Sequence, residues 1–168
     1  KTRNIPVHLG SNGEAFITAA DINNNSTASC GIANISIDKS TFNCNNIGNN
    51  TIILTVTDNN GNSATEIANV NIIDETHPVI ICPADIDAGF TTNSSGTIVN
   101  YTPPIGTDNC NATTTLVAGL SSGSNFPIGT TSITYRTTDS SNNIAECTFN
   151  VTVGLKYNPT LPARCFNV

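Results

Sequence analysis

Ile47–Ile72 reads IGNNTIILTVTDNNGNSATEIANVNI, and Ile128–Val153 reads IGTTSITYRTTDSSNNIAECTFNVTV. The two align without a gap at an offset of 81 residues, pairing Gly48 with Gly129, Asp58 with Asp139, Asn62 with Asn143, Ala64 with Ala145 and Val70 with Val151. Each stretch opens on Ile-Gly, a turn signal, and then alternates. Ile52, Leu54 and Val56 face one way and Thr51, Ile53, Thr55 and Thr57 the other, the period of a strand with one face in a core. Asp58-Asn-Asn-Gly-Asn62 is turn chemistry, because Asn and Gly tolerate the left-handed region and Asp bonds its own backbone. A second strand follows, with Ile67, Val70 and Ile72 as its apolar positions. In the second copy Tyr135, Phe149, Val151 and Val153 take those parts. The unit is a β-hairpin, and a period near 80 residues is one sandwich module per repeat, too long for a solenoid.

Further short strands are expected upstream of each hairpin: Ile5–Leu9, Glu14–Ala19 and Ile32–Ile37 in the first copy, and Val79–Cys82, Ile86–Phe90, Thr97–Tyr101 and Thr113–Ala118 in the second. The fold class is all-β, two tandem immunoglobulin-like β-sandwich domains. The expected division is 1–75, 76–154 and a tail at 155–168, with Asp74-Glu-Thr-His-Pro78 as a short linker stiffened by proline.

Composition agrees with strands and turns. Of the 168 residues 38% are hydrophobic but only 11% charged, so Asn, Thr and Ser carry the polar surface. The net charge of −6 and the six Lys and Arg leave no basic stripe, which excludes nucleic acid as a partner class. No apolar run nears the ~20 residues of a membrane span, so no membrane insertion is expected. Six cysteines without a Cys-x-x-Cys, beside only His8 and His77, speak for an oxidising, extracellular compartment and against zinc or thioredoxin-like chemistry. The chain carries no signal peptide and reads as a mature fragment of something longer. Neither histidine has a nucleophile motif nearby, so no enzyme activity is expected.

The second module carries Pro78-Val-Ile-Ile-Cys-Pro83, Tyr101-Thr-Pro-Pro104, Thr107-Asp-Asn-Cys110, Ser122–Thr130, Tyr135, Thr138-Asp139 and Cys147–Val153. In these residues it resembles the hyalin repeat, an immunoglobulin-like family of extracellular proteins. The first module is similar to the immunoglobulin-like repeats of gliding and surface adhesins of Bacteroidetes, through Ile17–Asp21, Cys30-Gly-Ile32, Phe42-Asn-Cys44 and Leu54–Asn62. The resemblance implies a sandwich fold and a role in adhesion, spacing or presentation, without catalysis. It also implies that Cys110 has lost its usual partner, since the family's fourth cysteine is missing from Thr92–Gly96. Residues after Gly154 match neither pattern.

Cys82 and Cys147, near the two ends of the second module, are expected to pair and shield the residues between them from tension. Cys30 and Cys44 are expected to close a small local loop, which leaves the first module, with Glu66 where the second has Cys147, the softer under load. Cys110 and Cys165 remain, to pair with each other, to stay free or to pair outside this fragment. Asp21, Asn23, Asp58, Asn60 and Asn62 are candidate calcium ligands, with Asp74 or Glu75 able to approach. The competing reading is an ordinary Asn-Gly hairpin turn, because the loop offers one carboxylate and lacks a closing Glu. Asn-x-Ser/Thr sequons such as those at Asn25, Asn34, Asn93, Asn111 and Asn150 are background in so Asn-rich a chain. An isopeptide crosslink at Lys39 or Lys156 has no pairing pattern behind it. Tyr101 and Tyr135 fall at core positions.

The functional expectation is a stalk or spacer segment of a large bacterial surface adhesin, serving cell adhesion or gliding, whose partners are neighbouring repeats of the same chain. Two alternatives stand beside it. One is a module that binds surface glycans or proteins, or an accessory domain of a secreted enzyme. The other is a self-assembling fibre subunit that uses the tail as an added strand.

Overall fold

The computed structural model describes residues 1–92 and 95–156. The tail from 157 onward, with Cys165, lies outside the described residues. The chain is all-β and forms two compact units. The first comprises Lys1–Pro78 with Thr107–Thr113 and Thr138–Ile144; the second comprises Val79–Gly106, Thr114–Thr137 and the chain from Ala145 onward.

In the first unit β1 (Ile5–His8), β3 (Ile32–Ile37), β5 (Gly48–Asp58) and β6 (Ser63–Ile73) form a sheet in the order β1-β6-β5-β3. A two-stranded sheet of β2 (Glu14–Phe16) and β4 (Thr41–Asn43) forms the other layer. Between β2 and β3 runs a one-turn helix, α1 (Ala19–Ile22), and Cys44–Asn46 makes a 3-10 turn. β1 pairs parallel to β6, whereas β5 runs antiparallel to both β3 and β6.

The alternation of the hairpin fixes which face is inside. Ile52 and Leu54 on β5 and Ala68, Val70 and Ile72 on β6 are buried, and they meet Phe42 of β4 with Ile17 and Ile22 from around α1. Each such aliphatic side chain contributes about 1.5–3 kcal/mol by leaving water. One expectation fails here. Ile67 is 60% exposed and pairs across the strands with exposed Ile53, while the small Ala68 takes the core position. With a two-residue period, Val70 and Ile72 put even-numbered residues of β6 inside, and residue 67 must face out.

The second unit repeats the plan. β7 (Ile86–Thr91), β9 (Ala112–Ala118), β11 (Gly129–Asp139) and β12 (Ile144–Leu155) form a sheet in the order β7-β12-β11-β9, with β8 (Thr97–Val99) and β10 (Ser124–Phe126) as the second layer. β7 again pairs parallel to the last strand. Ile133, Tyr135, Phe149, Val151 and Val153 pack against Val99 and Phe126. Tyr101 stands edge-on to Phe126, Tyr135 and Phe149, with centroids 6.4, 6.5 and 5.2 Å away. The outer face of this hairpin is laced by neutral pairs: Thr130–Thr152 at 3.1 Å, Ser132–Asn150 at 2.8 Å and Thr134–Thr148 at 2.9 Å.

Val79–Cys82 is not a strand. Pro78 and Pro83 flank it, and proline brings no N–H to a ladder. The helical turn at Ala19 shortens β2, because Thr18 and Asp21 form a capping box there.

Candidate functional site

Two disulfides join described residues. In the second unit Cys82 bonds Cys147 of β12, 65 residues on. In the first unit Cys44 bonds Cys110, 66 residues on, with Cα atoms 5.6 Å apart. The expected Cys30–Cys44 pair is therefore corrected, and Cys110, left open to pair with Cys165 or to stay free, is bonded to Cys44. Cys30 is a free, exposed thiol. The geometry of β5 explains it. Cys30 sits beside the Asp58 end of that strand, where its carbonyl accepts from Asn59 Nδ2 at 2.8 Å, whereas Cys44 leads into the Gly48 end. Ten residues of strand span ~33 Å, and a disulfide needs Cα atoms within ~7 Å. Fourteen residues of sequence separation therefore mislead.

The Asp58 loop is a closed hairpin turn. Asp58 Oδ1 accepts the N–H groups of Asn60 and Asn62 at 2.8 and 2.9 Å, and Oδ2 accepts Asn62 Nδ2 at 3.0 Å. Gly61 takes the left-handed conformation at φ 85°. The side-chain amide of Asn62, helped by backbone N–H groups, holds the Asp58 carboxyl below its ordinary range. Asn60 contributes an N–H here, not an oxygen. Asp21 Oδ2 accepts Thr18 N at 2.6 Å and Thr18 Oγ1 at 2.7 Å, which lowers its pKa too, and Asn23 Oδ1 accepts Ser26 N at 3.1 Å. No hydrogen bond among the described residues joins Asp21 or Asn23 to the Asp58 turn. The five residues expected around calcium thus stand at a turn and a helix end, each engaged locally.

The second copy of the turn repeats this chemistry. Asp139 Oδ1 accepts Ser141 N and Asn143 N at 2.9 and 2.8 Å, and Oδ2 accepts Asn143 Nδ2 at 2.8 Å. Asn142, at φ 69°, stands where the first copy has Gly61, as asparagine can. Here the amide of Asn143 reaches further, to the carbonyls of Asp74 and Thr76, both at 3.2 Å.

Around Asp74 lies a polar cluster that sequence reading missed, all of it within the first unit. Asp74 is 4% exposed. Its Oδ1 accepts Thr76 N at 3.1 Å and Asn109 Nδ2 at 3.3 Å. Asn109 Nδ2 also donates to Gly10 O at 3.0 Å, and Asp108 Oδ2 accepts Cys110 N at 2.9 Å. A carboxylate oxygen of Asp74, one of Asp108 and Cys110 Sγ all lie within 4.8 Å of one another. The only signal in the sequence was the Asp74–Glu75 approach considered for another loop.

Tyr101 Oη donates to Leu120 O at 2.6 Å and lies 3.2 Å from Tyr135 Oη. Burial, then the neighbouring Tyr135 hydroxyl, pushes its pKa well above the ordinary phenol value. It is a structural donor. No helix among the described residues is long and apolar enough to cross a membrane. Two disulfides are the mark of an oxidising, extracellular setting.

Residues 73–153 match the family model of the HYR domain. Hyalin of Strongylocentrotus purpuratus is 37% identical over 113 residues, and Hyalin of Lytechinus variegatus 32% identical over 111. Each alignment covers 64% of this chain, and the chain spans only 9% and 21% of the lengths of those relatives. Among solved structures, the cadherin domains 1–4 of protocadherin gamma B7 align over 93% of this chain and 50% of that one at 8% identity and a TM-score of 0.38. Human protocadherin-24 EC1-2 aligns over 90% and 95%, also at 8% identity and 0.38.

Proposed function

We propose that this chain is a non-catalytic spacer of an extracellular adhesion protein, holding a more distal binding domain away from a surface and bearing tension. The observation that carries this reading is the pair of disulfides, one in each unit, whose sequence loops overlap between Cys82 and Cys110. A load applied at the termini of such a chain follows a covalent shortcut that sidesteps most of both hairpins. The match of residues 73–153 to the HYR domain supports an adhesion setting. The finer reading, a repeat of a bacterial surface adhesin used in gliding, rests on the sequence resemblance of the first module.

A spacer is replaceable. Exchanging these residues, in the full-length protein, for an unrelated disulfide-closed pair of sandwiches of equal length should leave cell attachment unchanged. Loss of attachment with normal surface display would refute the spacer role and favour a ligand-binding module. That second reading has one observation of its own. In the second unit Val79, Ile81, Phe90 and Ile105 are 62–81% exposed, unusual for large apolar side chains in so polar a surface. Ile81→Ser with Ile105→Ser should leave attachment intact in a spacer and abolish it in a binding module. The fibre reading depends on the tail, which lies outside the described residues.

A further inference from the structure

We infer that Asp74, Asp108 and Asn109 form a binding site for a divalent cation, with calcium the ion it fits. The inference starts from polar groups left without partners. Among the described residues, the buried side-chain nitrogen and oxygen atoms that lack a hydrogen-bond partner are Asp74 Oδ2, Asp108 Oδ1, Asn109 Oδ1 and Ser141 Oγ. None of them is scattered elsewhere in either core. Asp74, Asp108 and Asn109 are neighbours in one network, and Ser141 belongs to the turn whose Asn143 bonds the Asp74 and Thr76 carbonyls. All lie within the first unit.

The chemistry of the orphans selects the ligand. Three of the four are pure acceptors, because Asn109 spends its amide hydrogens on Gly10 O and Asp74 Oδ1. Two belong to carboxylates whose oxygens lie within 4.8 Å of each other. No lysine, arginine or histidine pairs with either carboxylate among the described residues. Burying a charge without a counter-charge is strongly unfavourable, and two like charges at this separation repel. A bridging water could donate to two of these acceptors but would leave the charge in place. A cation held between the two carboxylates gives their oxygens a partner and cancels the repulsion.

The type of cation follows from the donor atoms. Cys110 Sγ is beside the carboxylates but is committed to Cys44, so it offers no thiolate to a soft metal. The remaining ligands are hard oxygens of mixed kind, carboxylate and amide, on two separate segments. Calcium accepts irregular shells completed by backbone carbonyls and water, whereas magnesium demands near-ideal octahedra. Three side-chain ligands, two of them charged, suit the weak affinities of extracellular modules, with Kd about 0.1–1 mM. The Cys44–Cys110 disulfide anchors Asp108 and Asn109, which precede Cys110, so the ligands are held before any ion arrives. This site is distinct from the Asp58 turn, whose carboxylate is already fully engaged, and it does not depend on whether the chain acts as a spacer.

The test is equilibrium dialysis of the oxidised 168-residue chain against radioactive calcium chloride. One ion per chain is expected in the affinity range above, with magnesium chloride competing poorly. Asp108→Asn, which keeps the shape and removes one charge, should weaken binding at least ~10-fold, in line with the loss of a directly ligating charge. Asp58→Asn should leave binding unchanged. Should Asp108→Asn fail to fold, hydrogen exchange on the unaltered chain decides: calcium should slow exchange at Thr76 and Cys110 relative to chelator. Absence of binding up to about 10 mM, well above the range for such modules, would overturn the inference. So would binding lost in Asp58→Asn but kept in Asp108→Asn, or protection confined to Asn60–Asn62.

Discussion

Replacing Cys82 and Cys147 together by alanine, and pulling the chain by its ends, reads the disulfide pattern directly. With both bonds closed the shortest covalent route runs from Lys1 to Cys44, crosses to Cys110, returns to Cys82, crosses to Cys147 and continues to Val168. That route holds roughly 92 peptide units, at ~3.6 Å each about 340 Å with the two bridges included. Cys82→Ala/Cys147→Ala leaves a route of roughly 101 units, so the fully extended length rises only to about 370 Å. Cys44→Ala/Cys110→Ala behaves alike, at about 370 Å, because the two loops overlap and either bond alone hides most of the length that the two hide together. Removing all four cysteines, or adding reductant, should release roughly 600 Å. The effects are thus far from additive: about 30 Å for either bond, and about 260 Å for both. Single-molecule force spectroscopy with constant terminal handles resolves such differences. If Cys44 were instead joined to Cys30, the Cys82→Ala/Cys147→Ala chain would reach roughly 550 Å. A length near that value would refute the pairing and the shielding built on it. The pattern also replaces the expectation of one soft and one protected module, since Cys44–Cys110 shields most of the first hairpin too. Each bond closes a loop of 65 or 66 residues, worth about 4 kcal/mol against the unfolded chain in the entropy model.

Four further outcomes follow from particular side chains. Phe149 is 1% exposed and faces the ring of Tyr101, so Phe149→Ala should cost about 3–5 kcal/mol in chemical denaturation. Gly96 sits at φ 100°, and a Cβ there would run into the carbonyl oxygen of Phe126; Gly96→Ala should destabilise by at least ~1–3 kcal/mol in the same assay. The Tyr101 pKa is raised in the folded state, so its contribution is fully present below the unfolded value of ~10 and is lost as pH climbs above it. Tyr101→Phe should flatten that alkaline loss while costing about 0.5–1.5 kcal/mol at neutral pH. Asp58 is lowered in the folded state, so its contribution is present above ~4 and vanishes as pH falls through the folded value; acid melts of Asp58→Asn should show a shallower decline than those of the parent.

Where the chain alternates, its sequence is readable. Thr51–Thr57 and its copy put one residue in two against a core, and the offset of 81 aligns Ile52 with Ile133 and Val70 with Val151, all buried. β4 and β10 were invisible for a physical reason: each is three residues long and buries one aromatic, Phe42 or Phe126, which leaves no period to detect. Ile67 drew attention because isoleucine is apolar, but the pleat, not the transfer energy of one residue, decides which face it takes. The cysteine pairs and the Asp74 cluster share a different obstacle. Both join residues 34 or more positions apart, Asp74 to Asp108 and Cys44 to Cys110, and spacing along a strand-rich chain carries little information about distance across it. The Asp58 and Asp139 turns were legible as turns, because an Asp four residues before an Asn, with Gly or Asn between, can close on itself in only a few ways.

The outer face of the β11–β12 hairpin is held by hydroxyl and amide pairs between Thr130 and Thr152, Ser132 and Asn150, and Thr134 and Thr148. Mobile ions weaken attractions between charged partners within a Debye length of ~8 Å at physiological ionic strength, yet they have little purchase on neutral pairs of this kind. Only Arg136–Glu146 on that ribbon would feel them. This surface should therefore behave alike in dilute and in briny surroundings, a useful indifference for a protein whose bathing medium no cell controls.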